Sequence, residues 1–343
     1  MTNPFSLGFG KEPQSYIEQN NNLEIIESFN SDNPEAQVCI LTGVRGSGKT
    51  VTMTSIANKF REESNWIVVD LNPERNLLEM LLASFYRNQS LKSIFSNAKF
   101  NLSIPGIGGV EFNKENKFED PAIILEDLLD ELSQNGKKLL ITIDEISNNQ
   151  NVREFVSQFQ IYIRKNYNVF LIMTGLYENV YDLQNEKTLT FLYRAPKIYM
   201  EPLSLSLIML KYQEVFSLDS NTALKMAEFT KGYPYAYQVL GNLCFKRNCS
   251  YEKVIDEYDI ILRDYVYKKI WSELSSKDKT VLQALIKTPN GKAEDVRNIL
   301  AMEKNVYSVY RDRLLKKGIV KVSEYGCLEL TLPRFKEFIE ASA

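Results

Sequence analysis

The stretch "LTGVRGSGKT", Leu41 to Thr50, decides the fold. It follows an apolar run and precedes a segment with helical spacing, and it fits G-x-x-x-x-G-K-[ST] through Gly43, Gly48, Lys49 and Thr50. Glycines at 43, 46 and 48 let the backbone curl, with Val44, Arg45, Ser47 and Val51 completing the loop and the helix start. The N–H groups from Gly46 to Thr50 are then expected to face a phosphate chain. Lys49 adds a point charge for the β and γ phosphates, and the Thr50 hydroxyl offers a ligand to Mg²⁺.

Outward from this loop the sequence alternates. The apolar runs "VCILTG" (38–43), "WIVVDL" (66–71), "KLLITID" (138–144) and "VFLIMTG" (169–175) are too short for helices and too continuous for half-exposed strands. They predict buried parallel strands, closed by a weaker strand in "KIYMEP". Helical patterns start near Lys49, Arg75, Ala122 and Val152, giving the βαβ rhythm of an α/β fold with helices on both faces of a parallel sheet. One insertion, "FNLSIPGIGGVEF" (100–112), predicts two short strands around a Pro-Gly and Gly-Gly turn. Residues 1–20 read as irregular, and "LEIIESF" as a short amphipathic helix.

The run "KLLITIDEIS" ends its apolar part in Asp144, at a strand's C-terminal edge, where open α/β sheets bind ligands. Asp144 is therefore expected to orient the Mg²⁺ waters, and Glu145 to activate a water for in-line attack on the γ-phosphate. There is neither an Asn-Lys-x-Asp guanine reader nor a Leu-Ser-Gly-Gly-Gln signature, so ATP is the expected nucleotide.

Composition narrows the chemistry. The 343 residues contain no histidine, which excludes a Ser-His-Asp triad and His-ligated zinc, and the four cysteines lack CxxC spacing. No apolar run approaches the roughly 18 residues that span a bilayer, and the N-terminus lacks a basic, then apolar, leader; a cytoplasmic protein with no membrane partner is expected. The net charge is −3, but residues 264–343 carry 15 Lys+Arg against 11 Asp+Glu, a net of +4 that marks this end for an acidic partner.

After "EPLSLS" the chain reads as helical to about residue 263. Helices at about 276–287, 292–300 and 305–317, strands "IVKVSE" and "CLELTL" across Tyr325-Gly326, and a last helix after Pro333 spell a winged helix-turn-helix. Its third helix carries Arg311, Arg313, Lys316 and Lys317 with Tyr307 and Tyr310, while Val306, Val309, Leu314 and Leu315 form the expected core stripe. With Lys321 at the start of the wing, Tyr307, Tyr310, Arg311, Arg313 and Lys317 are the candidate contacts to duplex DNA. The alternative is a packing or dimer module with a solvated charged face.

Taken in order, "GVRGSGKT", "LLITIDE", "VFLIMTG", "LYRAPKIYMEPLS", the "GYP" of "KGYPYAYQVLG" and the C-terminal winged helix resemble the AAA+ ATPases, in the archaeal and bacterial branch related to replication initiators and STAND-type ATPases. The resemblance runs from about residue 4 to the end. It implies an ATPase with a nucleotide-binding domain (1–204), a helical lid (205–263) and a winged-helix domain (264–343). It gives Thr174 the place of the sensor on the γ-phosphate or the attacking water, and Arg194 that of an arginine finger acting in trans within a homo-oligomer. Gly232 and Pro234 fall on the lid's Gly-x-Pro signature near the nucleotide, where Lys231 stands in for an arginine only as a point charge. Two outputs follow: ATP-driven DNA binding or remodelling, or a slow nucleotide switch acting on a protein partner.

Overall fold

The computed structural model describes residues 2–8, 10–88, 91 and 120–342, so the strand pair expected at 100–112 lies outside the described residues. The chain divides into two compact units, neither continuous in sequence: residues 21–41 with 53–198, and residues 1–20 with 42–52 and 199–343.

The first unit is the sheet layer. Its elements are α1 (Asn20–Asn30), β1 (Val38–Thr42), α2 (Lys49–Glu62), β2 (Trp66–Leu71), α3 (Leu77–Arg87), α4 (Pro121–Gln134), β3 (Lys138–Ile143), α5 (Gln150–Arg164), β4 (Val169–Gly175), α6 (Tyr177–Gln184) and β5 (Lys197–Tyr199). Five strands form one parallel sheet in the order β2-β3-β4-β1-β5. The register runs Trp66↔Lys138 to Leu71↔Ile143 and Leu139↔Val169 to Ile143↔Met173. β1 and β4 are buried along their whole length, which is why they read as continuous apolar runs. On one side Leu125, Leu129, Phe155 and Phe159 pack with strand residues such as Ile141 and Leu171. Elsewhere Phe29, Phe60, Trp66 and Phe170 form an aromatic cluster, with the Lys138 ammonium 5.4 Å from the Trp66 ring centre. Helix starts follow local chemistry: Asn76, Asp120 and Asn149 cap α3, α4 and α5 through their side-chain oxygens.

The second unit is mainly helical. It contains α7 (Leu205–Phe216), α8 (Ser220–Phe229), α9 (Pro234–Arg247), α10 (Ile255–Leu262), a π-helical turn (Arg263–Tyr267) and α11 (Lys268–Glu273). Then come α12 (Ser276–Leu285), α13 (Ala293–Leu300), α14 (Lys304–Lys316), β6 (Val320–Val322), β7 (Leu328–Leu330) and α15 (Phe335–Ala341). β6 and β7 pair antiparallel, and an isolated bridge joins Lys292 to Cys327.

The irregular N-terminal segment is built into this unit. Phe5 stacks on Phe216 at 5.7 Å and meets Tyr212 and Tyr237, the Asn242 amide donates to its carbonyl, and Ser6 N–H and the Ser15 hydroxyl both donate to Gln238.

The expected core stripe of α14 is corrected. Val306 and Val309 are 43% and 63% exposed, whereas Tyr307 is 2% exposed and Leu314 fully buried. The buried stripe is Tyr307, Tyr310, Leu314 and Leu315, with Tyr310 and Leu315 half-buried. Its spacing of three, seven and eight is as good a helical face as the valines offer, and the larger aromatic area wins the interior.

Candidate functional site

In the helical unit, the loop Gly43–Gly48 leads into α2, whose first residue is Lys49. The Lys49 ammonium donates to the carbonyls of Gly43 (2.9 Å) and Val44 (3.0 Å), closing the loop on itself. Gly46 has φ +74°, and a Cβ there would lie 2.1 Å from the Tyr233 hydroxyl, so neither conformation nor space admits a side chain. Ser47 N–H is engaged inside the loop, on the Val44 carbonyl at 3.2 Å, rather than being among the outward donors expected from 46 to 50. Thr50 and Val51 lie in the first turn of α2, where a helix leaves N–H groups without helical acceptors.

The segment "KGYP" lies against this loop. The Tyr233 hydroxyl donates to the Arg45 carbonyl and Tyr235 N–H donates to the Gly46 carbonyl at 3.2 Å. Pro234 opens α9 at a position needing no N–H, and its ring stands 3.7 Å from where a Cβ on Gly48 would be. Burial pushes the Tyr233 phenol well above its ordinary pKa, so it remains a neutral donor. Gly232 is required by backbone packing: its φ is +72°, and a Cβ would sit 2.5 Å from the Leu203 carbonyl. Lys231, expected as a point charge near phosphate, instead donates to the Leu330 carbonyl in β7 at 2.9 Å. Arg45 turns its guanidinium onto Glu273, with Nε to both carboxylate oxygens at 3.1 Å and a second nitrogen at 2.7 Å. Tyr233, Tyr235 and Glu273 were missed by sequence reasoning. The two tyrosines flank the "GYP" signal, while nothing in the sequence marks Glu273.

In the sheet unit, Asp144 and Glu145 follow directly on β3, and Thr174 is the last residue but one of β4, which the strand order sets between β3 and β1. The three residues form one cluster. The fully buried Thr174 hydroxyl donates to Asp144 Oδ1 and accepts Glu145 N–H at 3.0 Å, while Ile146 N–H donates to the Thr174 carbonyl at 2.8 Å. Glu145 N–H also reaches Asp144 Oδ1 at 3.1 Å. These bonds hold Glu145 at φ +52°, a left-handed conformation that non-glycine residues adopt at a cost, with its carboxylate exposed. Arg194 caps a short 3₁₀ turn (Thr190–Tyr193), and its guanidinium is exposed, with no side-chain partner among the described residues.

Among the described residues no group of three or more His, Cys, Asp and Glu side chains gathers to hold an ion. The Thr50 hydroxyl and the Asp144 carboxylate are each hard oxygen donors of the kind Mg²⁺ takes alongside waters and substrate phosphates.

The candidate DNA contacts are largely absorbed by the fold. Tyr307 is core, as above. Arg313 makes two bonds to Asp278 Oδ1 (2.9 and 2.6 Å) and one to the Ser275 hydroxyl (3.0 Å), and lies 5.0 Å over the Tyr310 ring. Asp278 is 1% exposed and closes a capping box with Ser275, so Arg313 neutralises a buried carboxylate, with Lys317 3.9 Å from its other oxygen. Arg311 and Lys321 stay at the surface, each beside a carboxylate, Asp312 at 3.1 Å and Glu329 at 2.7 Å.

Among the described residues no helix is long and apolar enough to cross a membrane. No curated protein matches the sequence. Residues 264–339 match the profile of a domain of unknown function, DUF8462. Among solved structures, the chain is similar to the Walker-type ATPase PABY2304 of Pyrococcus abyssi, at 15% identity and a TM-score of 0.66 over 95% of this chain and 97% of that one. It is also similar to the ORC2 protein of Aeropyrum pernix in its ADPNP and ADP complexes, at 13% identity and a TM-score of 0.58 over 94% and 92%. With the glycine-rich loop entering α2 and acidic residues following β3 of a five-stranded parallel sheet, the chain has the α/β fold of AAA+ ATPases such as these two.

Proposed function

We propose that this protein binds Mg-ATP through Gly43–Val51 and hydrolyses it. The observation that carries the proposal is the Asp144–Glu145–Thr174 cluster, because a loop that only stored nucleotide has no use for a carboxylate held at strained backbone by two bonds. Lys49 and the first amides of α2 hold the phosphates, and Thr50 and Asp144 hold the Mg²⁺ shell. Mg²⁺, when bound, draws charge from the phosphoryl oxygens. Glu145 takes the proton of the attacking water, and Thr174 fixes its backbone. Arg194, exposed and without a side-chain partner among the described residues, is suited to completing a neighbouring subunit's site.

The output runs through residues 264–343 by either of two routes. Their net charge of +4, with Arg311, Lys316 and Lys321 at the surface, supports engagement of duplex DNA. The structural use of Tyr307, Arg313 and Lys317, together with exposed Val306 and Val309 on the same helix, favours the second: a nucleotide-controlled switch acting on a protein partner.

One experiment addresses both levels. ATP turnover is measured with and without duplex DNA on wild type, Glu145→Gln and Arg194→Ala. Glu145→Gln is expected to retain ATP and lose turnover by at least about a hundredfold, the scale of a general base. Unchanged turnover removes Glu145 from its role. Stimulation by DNA selects the first output, and slow, DNA-insensitive turnover with retained ADP selects the second.

A further inference from the structure

Four consecutive carbonyls of the P-loop are each engaged. Those of Gly43 and Val44 accept from Lys49, that of Arg45 accepts the Tyr233 hydroxyl, and that of Gly46 accepts Tyr235 N–H. A phosphate cradle works through its N–H edge, so fixing the carbonyl edge presets the binding edge before any ligand arrives. Tyr233 and Tyr235 belong to the start of α9, and Arg45 adds a tie of another kind. Its side chain forks onto Glu273 at the end of α11, 228 residues away in sequence and inside the matched domain 264–339. Two further contacts join the same parts. Val44 packs against the hydrophobic core of this unit, and a side chain on Gly318, in the turn between α14 and β6, would come within 4.0 Å of the Val44 nitrogen.

Arg45 occupies one of the free positions of the G-x-x-x-x-G-K-[ST] pattern, so phosphate chemistry does not dictate its identity. Its guanidinium pairs with Glu273 at 2.7 Å, and Lys269 also approaches that carboxylate at 3.5 Å. We infer that Arg45 is a positioning residue whose ion pair with Glu273 latches the P-loop to the C-terminal module, so that bound nucleotide leaves only after the latch opens. This rests on the nucleotide-binding role of the loop proposed above. It turns the module into a reporter of occupancy: whatever pulls Glu273 away loosens the cradle, and a filled cradle holds the module.

The test is the release rate of a fluorescent ADP analogue from the full chain. Arg45→Ala and Glu273→Gln are each expected to speed release about two- to five-fold, the range of a partly exposed ion pair, with association unchanged. The double variant is expected to match either single, because both remove one interaction. Among the described contacts Glu273 meets the P-loop through Arg45, so an unchanged release rate in Glu273→Gln, or effects that multiply in the double variant, overturns the latch. A second measurement separates this from failure of the binding role. In nucleotide-free protein, hydrogen exchange over residues 43–51 should rise in both single variants and no further in the double. If wild type binds no ADP analogue, the nucleotide role fails and exchange still decides the latch; unchanged exchange overturns it.

Discussion

At the scale of single residues, Thr174 is where the site is most economically built. One buried hydroxyl both donates to Asp144 and accepts from Glu145 N–H, so it sets the two residues that end β3 together. Thr174→Val keeps the shape and removes both bonds. Turnover is expected to fall at least about tenfold with nucleotide affinity near wild type, and stability by about 1–2 kcal/mol, measured by urea unfolding; Thr174→Ser should restore most of both. A turnover equal to wild type removes Thr174 from the site. Arg313 makes the opposite case, a cation whose work is internal. Arg313→Ala leaves a carboxylate that is 1% exposed with weaker partners, and is expected to cost about 2–3 kcal/mol in the same assay. Retained stability together with weakened DNA affinity would return Arg313 to the surface role first expected of it. The placement of the acidic pair was legible because a carboxylate after an unbroken apolar run marks where the buried strand ends. The φ of +52° at Glu145 was not, because tertiary bonds impose it against the residue's own preference.

At the scale of elements, strands and helix starts were legible and helix faces were not. The runs at 38–42 and 169–175 are buried throughout and those at 66–71 and 138–143 largely so, and their apolar character needs no phase to be recognised. α14 is different: two stripes of similar spacing compete, and only the packing against α12 and β6 shows that Tyr307 goes in and Val306 out. The N-terminal segment was illegible for another reason. Its aromatic anchor, Phe5, has partners more than 200 residues on, and no local period betrays it. A Cβ on Gly241 would lie 2.5 Å from the Phe5 ring, which shows how closely the ring is seated. Phe5→Ala is expected to destabilise by about 3–5 kcal/mol, read as a shift of the unfolding midpoint, whereas truncating an unanchored tail would leave the midpoint unchanged.

At the scale of the whole molecule, the glycine-rich motif announces the sheet to a reader of the sequence, yet in the folded chain it clusters with residues 1–20 and 199–343. What the linear reading could not supply is this exchange of neighbours, since the carbonyls of Arg45 and Gly46 are held by Tyr233 and Tyr235. The consequence reaches back to synthesis. The loop precedes its partners along the chain: Tyr233 bonds to it across 188 positions, Glu273 across 228, and Asn242 closes on Phe5 across 237. Such distant pairings are the slow ones, and domains made from several separated segments cannot close until the last arrives. Until residues 212–237 have been made, the loop at 43–48 therefore lacks the partners of its Arg45 and Gly46 carbonyls and Phe5 lacks its aromatic neighbours, so the folded geometry of the loop appears late.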